Sequence, residues 1–421
     1  MTKGDKMQTV CKIDSERVYD RIMRLAEIGK VNETGVKRVA LSEEDREAQF
    51  LVIEWMKEAG MSVTHDHFGN LIGRKEGKSP NLPSVMIGSH IDSVRNGGRF
   101  DGIIGVLGGV EIVQAIHDAN IVHDHSIEVV AFCEEEGSRF DDGLFGSRGM
   151  VGKINQEHLQ IKDENGISRY NALKSFGFGI DPDRIEDSIR SKKDIKLFLE
   201  MHIEQGPYLE ANNYPVGIVK GIAGPSWYTI TIEGKGGHAG TVPMVLRQDP
   251  MVGVAKIIVE IERLCKQNPE ADTVGTIGRI KSFPGGTNVI PTSVEFSLDL
   301  RDINLTRRGI VLQQINSKIY EVCESRGLTY NIEKNIEIDP VECSNLVVET
   351  LMNISKEKGI DVPLIVSGAG HDAMLLAEIS EIGMVFVRCE QGVSHHPNER
   401  ADKKDIALGI ELLLETVLKN I

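Results

Sequence analysis

The chain has 421 residues, 40% hydrophobic and 26% charged, which is too long for one ordinary core and predicts two globular domains. Its formal net charge of −15 argues against nucleic acid or an anionic membrane as partner, because both need a basic face. The six cysteines, at 11, 133, 265, 323, 343 and 389, have no C-x-x-C spacing, which argues against a thiolate metal site and points to reduced thiols in the cytoplasm.

The first twenty residues are charged and hold no apolar core, so they do not read as a signal peptide, and no apolar run reaches the roughly 18 residues of a membrane span. The spacing predicts amphipathic helices over 18–28 and 48–59. Short apolar runs over 84–88 and 127–133 read as buried strands, with a glycine-opened helix over 102–120 between them. A run over 197–201 leads into His202 as the earlier strand leads into His90. This alternation predicts an α/β domain with a mostly parallel sheet flanked by helices, whose ligands gather at the carboxyl ends of strands.

The texture changes near Pro215. Strands are expected over 227–233, 272–280, 293–301 and 329–338, with helices over 249–267 and 308–326. That is an inserted α+β domain of about four strands and two helices, placed at 215–333. The chain is helical again from Ser344, then strand-like over 364–367 and 384–388, and closes with a helix over 402–419. Residues 1–214 and 334–421 would thus form one discontinuous catalytic domain. Neither internal repeats nor low-complexity stretches are evident.

The chemistry lies in short motifs at these strand ends. His90, Asp101, Glu135, Glu136, His202 and His395 form a series of potential metal ligands. Histidine with carboxylate is a ligand set for zinc, manganese or cobalt, and a shared carboxylate can hold two ions as a hydrolytic site. A lone histidine after a strand is more often a buried polar residue, but Asp92 follows His90 by two, where a carboxylate can fix the tautomer of a ligand imidazole. Asp101 could simply cap the helix that starts near Gly102; the glycines around it also let the backbone pack tightly about a charged centre. The Glu134–Glu136 run could be a solvated face, yet it follows a buried strand, where three carboxylates repel unless cations neutralise them. One glutamate can then bind metal while its neighbour serves as a base. Arg301, in Leu298-Asp299-Leu300-Arg301-Asp302, is either a surface ion pair with Asp299 or Asp302 or a bidentate clamp for a substrate carboxylate.

Together, Gly-Ser-His-Ile-Asp-Ser-Val, Gly-Gly-Arg-Phe-Asp-Gly, Glu-Glu-Glu-Gly-Ser-Arg-Phe, His-Ile-Glu-Gln-Gly-Pro, Gly-Gly-His-Ala-Gly, Asn-Val-Ile-Pro, Asp-Leu-Arg and Gly-Ala-Gly-His-Asp-Ala resemble the M20 metallopeptidase clan. Within it they resemble the hydantoinase/carbamoylase amidases, in this order and over 35–421. The resemblance implies two divalent ions per subunit (zinc, manganese, cobalt or nickel), with His90 and His202 on different metals, Asp101 bridging, and Glu136 and His395 completing the shells. It implies Glu135 as general base and Asp92 as the partner behind the ligands. Gln205 would contact the ureido group, and His371 and Asp372 would line the site. His238, Asn288 and Arg301 would come from the insert as a lid, with His238 on the oxyanion and Arg301 on the substrate carboxylate. The insert would also form a homodimer interface, so that His238 or Asn288 acts across subunits. Of the adjacent histidines, His395 would be the ligand and His396 would point away. The activity implied is hydrolysis of an N-carbamoyl-L-amino acid to amino acid, ammonia and carbon dioxide. The rivals are an allantoate amidohydrolase or β-ureidopropionase, then an exopeptidase or a non-catalytic binding protein on the same fold.

Overall fold

The computed structural model describes residues 11–421, so half of the charged amino-terminal stretch lies outside the described residues. The chain forms two compact units. One runs to Lys220 and resumes over Cys343–Ile365 and His371–Ile421; the other comprises Gly221–Glu342 and Val366–Gly370.

In the first unit, strands Ser84–His90 and Ile127–Phe132 are buried at every position. Mainly apolar runs buried at every position suit strands covered on both faces. The sheet order is Ser62–His65, Leu71–Lys75, Ile127–Phe132, Ser84–His90, Ile195–Ile203, Glu381–Val387, Val216–Ile222. The strands from Ile127–Phe132 to Glu381–Val387 pair in parallel. Those flanking them pair antiparallel. The expected mostly parallel sheet is therefore a mixed one. Strand Leu71–Lys75 follows Ser62–His65 after five residues, and so short a link can only reverse the chain.

Helix Ile103–Asp118 is buried along almost its whole length. It packs on the sheet and under helices Ser15–Ala26 and Lys403–Leu418. A Cβ at Gly105 would stand 2.5 Å from the Met201 carbonyl oxygen, so only glycine lets the helix approach this closely. Two helices begin earlier than their apolar pattern. Asp14 caps the N–H groups of Glu16 and Arg17, and Ser42 caps that of Asp45. The added first turns are polar, so periodicity did not register them.

The second unit is an antiparallel sheet in the order Val274–Thr276, Ser293–Asp302, Gly224–Glu233, Thr329–Glu337, with Ile280–Phe283 also paired to Ser293–Asp302. Helices Pro250–Cys265 and Leu305–Arg326 cover one face. Val294, Phe296, Leu298 and Leu300 alternate inward and pack with Ile257, Ile261, Ile315 and Ile319. The single strand expected over 272–280 is two. The chain breaks at 277–279, where Arg279 exchanges hydrogen bonds with the Ser297 backbone N–H and hydroxyl. The unit also spans 221–342 rather than 215–333. Residues 216–219 still pair with Glu381–Val387, and strand Thr329–Glu337 carries the insert past 333.

Candidate metal centre

His90 is the last residue of its strand, Glu134–Glu136 follow Ile127–Phe132 after Cys133 alone, and His202 is next to last in Ile195–Ile203. These are the carboxyl ends of adjacent parallel strands, where side chains converge. Asp101 comes from the loop before helix Ile103–Asp118. There Gly102 has φ 69°, and its missing Cβ leaves room for the His90 ring, which a Cβ would meet at 2.5 Å.

Asp101 faces both ways. Its Oδ1 lies 3.0 Å from His202 Nε2 and 3.5 Å from His90 Nε2. Its Oδ2 lies 3.5 Å from His395 Nε2, which is 3.5 Å from Glu136 Oε2. The two donor sets, His90–Asp101–His202 and Asp101–Glu136–His395, thus share one carboxylate. The imidazoles are oriented for this. His90 Nδ1 donates to the Asp92 carbonyl at 3.0 Å and His202 Nδ1 to the Ile203 carbonyl at 2.9 Å, which leaves both Nε2 lone pairs on the Asp101 side.

The three consecutive glutamates part. Glu134, with φ 55°, turns away and pairs at 3.2 Å with Arg169, a fully buried guanidinium between the rings of Phe140 and Phe145. So Arg169, rather than a metal, neutralises the first of the run. Glu135 Oε2 stands 3.6 Å from His90 Nε2, and Glu136 faces His395. The Asp92 carboxylate accepts the backbone N–H groups of both Glu135 and Glu136 at 3.3 Å, and its Oδ1 also lies 3.6 Å from His90 Nδ1, which donates to the Asp92 carbonyl.

The electrostatics suit cations. Burial raises Glu135 well above the usual carboxylate range, with Asp372, Glu136 and Asp92 adding to it against the pull of His90. Burial and Asp101 push Glu136 up to about 8. Burial opposes ionisation of Asp101, but His202 and His90 outweigh it and hold this carboxyl well below its ordinary value. Burial likewise opposes a charged His90, yet Glu135, Asp101, Asp92 and Glu136 together raise it. Carboxylates packed this densely are stable as anions only beside extra positive charge, which divalent ions supply. The donor set therefore fits a metal centre.

Gln205, also at positive φ, donates from Nε2 to Asp101 Oδ2 at 2.9 Å and lies 3.3 Å from His395 Nε2. Its Oε1 is buried without a partner. The His371 ring centroid is 4.6 Å from that of His202. His396 turns aside, its Nδ1 accepting the Asn398 N–H at 3.1 Å. In the second unit, His238 pairs in register with Val289, and the Asn288 carbonyl accepts the Ala239 N–H, so exposed His238 and Asn288 are neighbours. Arg301 is held by Asp299 and the Gly368 carbonyl.

Three groups escaped the sequence reading. Glu399, 2% exposed, accepts the N–H groups of Phe100 and Asp101. Ser394 donates to Asp101 Oδ2 at 2.7 Å. Glu200 is buried on the His202 strand and takes the Ser89 hydroxyl and the Ala373 N–H. Only Glu399 had a signal, a carboxylate four residues after a candidate ligand histidine in a segment with no helix.

Comparison with known proteins gives the family. Residues 86–419 match the model of Peptidase family M20/M25/M40. The chain belongs to that family, whose members are metal-dependent hydrolases. An N-carbamoyl-L-amino-acid amidohydrolase of Pseudomonas sp. (strain NS671) is 64% identical over 99% of this chain and 100% of its own length. One from Geobacillus stearothermophilus is 46% identical over 96% and 98%. An allantoate deiminase of Arabidopsis thaliana is 35% identical over 98% and 83%. A hydantoinase/carbamoylase family amidase from Burkholderia multivorans superposes with a TM-score of 0.91 at 33% identity, over 97% and 98% of the two chains.

Proposed function

We propose that this chain is a two-cation amidohydrolase that cleaves N-carbamoyl-L-amino acids. The observation that carries the reading is Asp101, whose two oxygens each face a separate donor set. The Pseudomonas relative, at 64% identity, supports the substrate class.

Divalent ions held by His90, Asp101, His202, Glu136 and His395 would polarise the carbamoyl carbonyl and lower the pKa of water. Glu135 removes a proton from the attacking water and delivers it to the departing amino nitrogen. The bond broken joins that nitrogen to the carbamoyl carbon. The released carbamic acid breaks down to ammonia and carbon dioxide. Asp92 fixes the loop that aims Glu135 and Glu136. Gln205 hydrogen-bonds the ureido group, and its unpartnered Oε1 is the acceptor available for an N–H. His371 lines the pocket beside His202. His238 serves the oxyanion and Asn288 the substrate, one or the other from a second copy, and Arg301 takes the substrate carboxylate.

The second unit is assigned as the homodimer interface. It exposes Met244, Val245, Leu246, Val259, Ile280 and Phe283, a concentration of large apolar side chains that a lone copy leaves wet. No described helix is long and apolar enough to cross a membrane. All six cysteines are free, which supports a reducing, cytoplasmic setting.

The test is ammonia release by metal-loaded protein from N-carbamoyl-L-amino acids, allantoate, ureidoglycolate and β-ureidopropionate, with free amino-acid release as the readout for dipeptides. Preference for the carbamoyl amino acids is expected. Faster turnover of allantoate would transfer the assignment to that substrate, in line with the 35% identical relative. Activity on dipeptides alone would end the amidohydrolase reading.

A further inference from the structure

Asp299 and Arg301 are two residues apart on strand Ser293–Asp302, so their side chains leave the same face, opposite buried Leu298 and Leu300. Asp299 Oδ1 accepts from Arg301 Nε at 3.0 Å, and its Oδ2 accepts from Nη2 at 2.8 Å. The Gly368 carbonyl accepts from Nη1 at 2.6 Å. A guanidinium has five N–H groups. Three are engaged, and the two that remain are one on each Nη. A carboxylate that takes the remaining donor of each Nη is held at two points.

The pair is partly exposed, with 28% and 31% of the side chains accessible, and an ion pair in that setting adds little to stability. Its effect falls instead on where the guanidinium points. A free arginine samples many rotamers, and freezing it on substrate binding costs about threefold to tenfold in affinity. Asp299 and Gly368 meet that cost before substrate arrives. The negative charge of Asp299 acts against an incoming carboxylate, but the guanidinium lies between them and salt screens the remainder.

We infer that Asp299 is a positioning residue that holds Arg301 with one N–H of each Nη free, and so selects substrates bearing a planar carboxylate. The inference rests on the assignment of Arg301 as the carboxylate clamp in the proposed reaction. It implies that Asp299 governs the difference between an acid and its amide while leaving the bond-breaking step alone.

The test uses the metal-loaded full chain, the best ureido acid from the screen above, and the same compound with its carboxylate converted to a carboxamide. Asp299→Asn should raise KM for the acid about fivefold, hold kcat within about twofold, and leave the carboxamide kinetics unchanged. Asp299→Ala should do the same or more, and both variants should melt where the wild type melts. An unchanged or lower KM for the acid, or an equal change for acid and carboxamide, overturns the inference. Arg301→Lys separates the two levels. If it loses acid turnover while Asp299→Asn is silent, the clamp stands and the positioning role falls. If Arg301→Lys is itself silent, or the wild type turns over no ureido acid, the clamp reading fails and takes this inference with it.

Discussion

Glu399 accepts the backbone N–H of Asp101 at 3.0 Å, only four residues after His395. The same oxygen takes the Phe100 N–H at 2.8 Å, while Ser394 donates to the Asp101 carboxylate. One loop thus carries a ligand of one donor set and clasps the residue both sets share. Glu399→Ala leaves two buried N–H groups unpaired, at about 1–3 kcal/mol each. We expect metal affinity to fall at least tenfold by equilibrium dialysis, as losing a support behind metal ligands does. Glu399→Gln keeps an acceptor oxygen and should lose less. Equal affinity in all three proteins would remove Glu399 from the account.

The adjacent histidines give a sharper contrast. His395 Nε2 stands 3.5 Å from Asp101 and Glu136, whereas His396 accepts the Asn398 N–H. His395→Ala should bind one ion fewer per chain by elemental analysis and lose nearly all activity. His396→Ala should keep both ions. Metal loss confined to the His396 variant would reverse the assignment.

Glu135 is assigned to proton transfer. Glu135→Gln preserves shape and cannot take a proton, so turnover should drop about 10²- to 10⁴-fold with metal content unchanged. A variant that loses its metal as well would make Glu135 a ligand instead.

For assembly, Val259 on helix Pro250–Cys265 is 68% exposed, close in sequence to exposed Met251 and Val252. We expect light scattering to give twice the chain mass at micromolar concentration, and Val259→Arg to shift it toward one. A wild-type mass equal to one chain would dismiss the dimer.

Asp45, which is not among the candidate ligands, carries a pH signature of its own. It is 2% exposed and accepts the Leu41 N–H at 2.7 Å; burial pushes its carboxyl from 3.8 up to about 7. A raised folded pKa gives stability that is complete below 3.8 and lost as pH rises through about 7. Relative to Asp45→Asn, the wild type should therefore lose up to about 1.4 kcal/mol per pH unit within that window. The melting temperature of the variant should gain on that of the wild type from pH 5 to 8. A gap that stays flat would show Asp45 ionised at its ordinary pKa.

The sequence by itself determined which side chains could do chemistry and which elements would deliver them. Mainly apolar runs leading into His90, Glu134 and His202 announced buried strands with polar tips. Residues 293–301 alternate polar and apolar, the period of a strand with one buried face. Both signals arise from local periodicity, which short segments carry in full. The tertiary structure decided what depends on partners distant in the chain. It made the sheet mixed by fixing strand order, and it divided the glutamate run by placing buried Arg169 beside Glu134. It turned Asp92 to the glutamate backbone, and it brought Glu399 to Asp101 across 298 positions. Those pairings are set by packing and by the need to satisfy buried polar groups, and neither leaves a periodic trace along the chain.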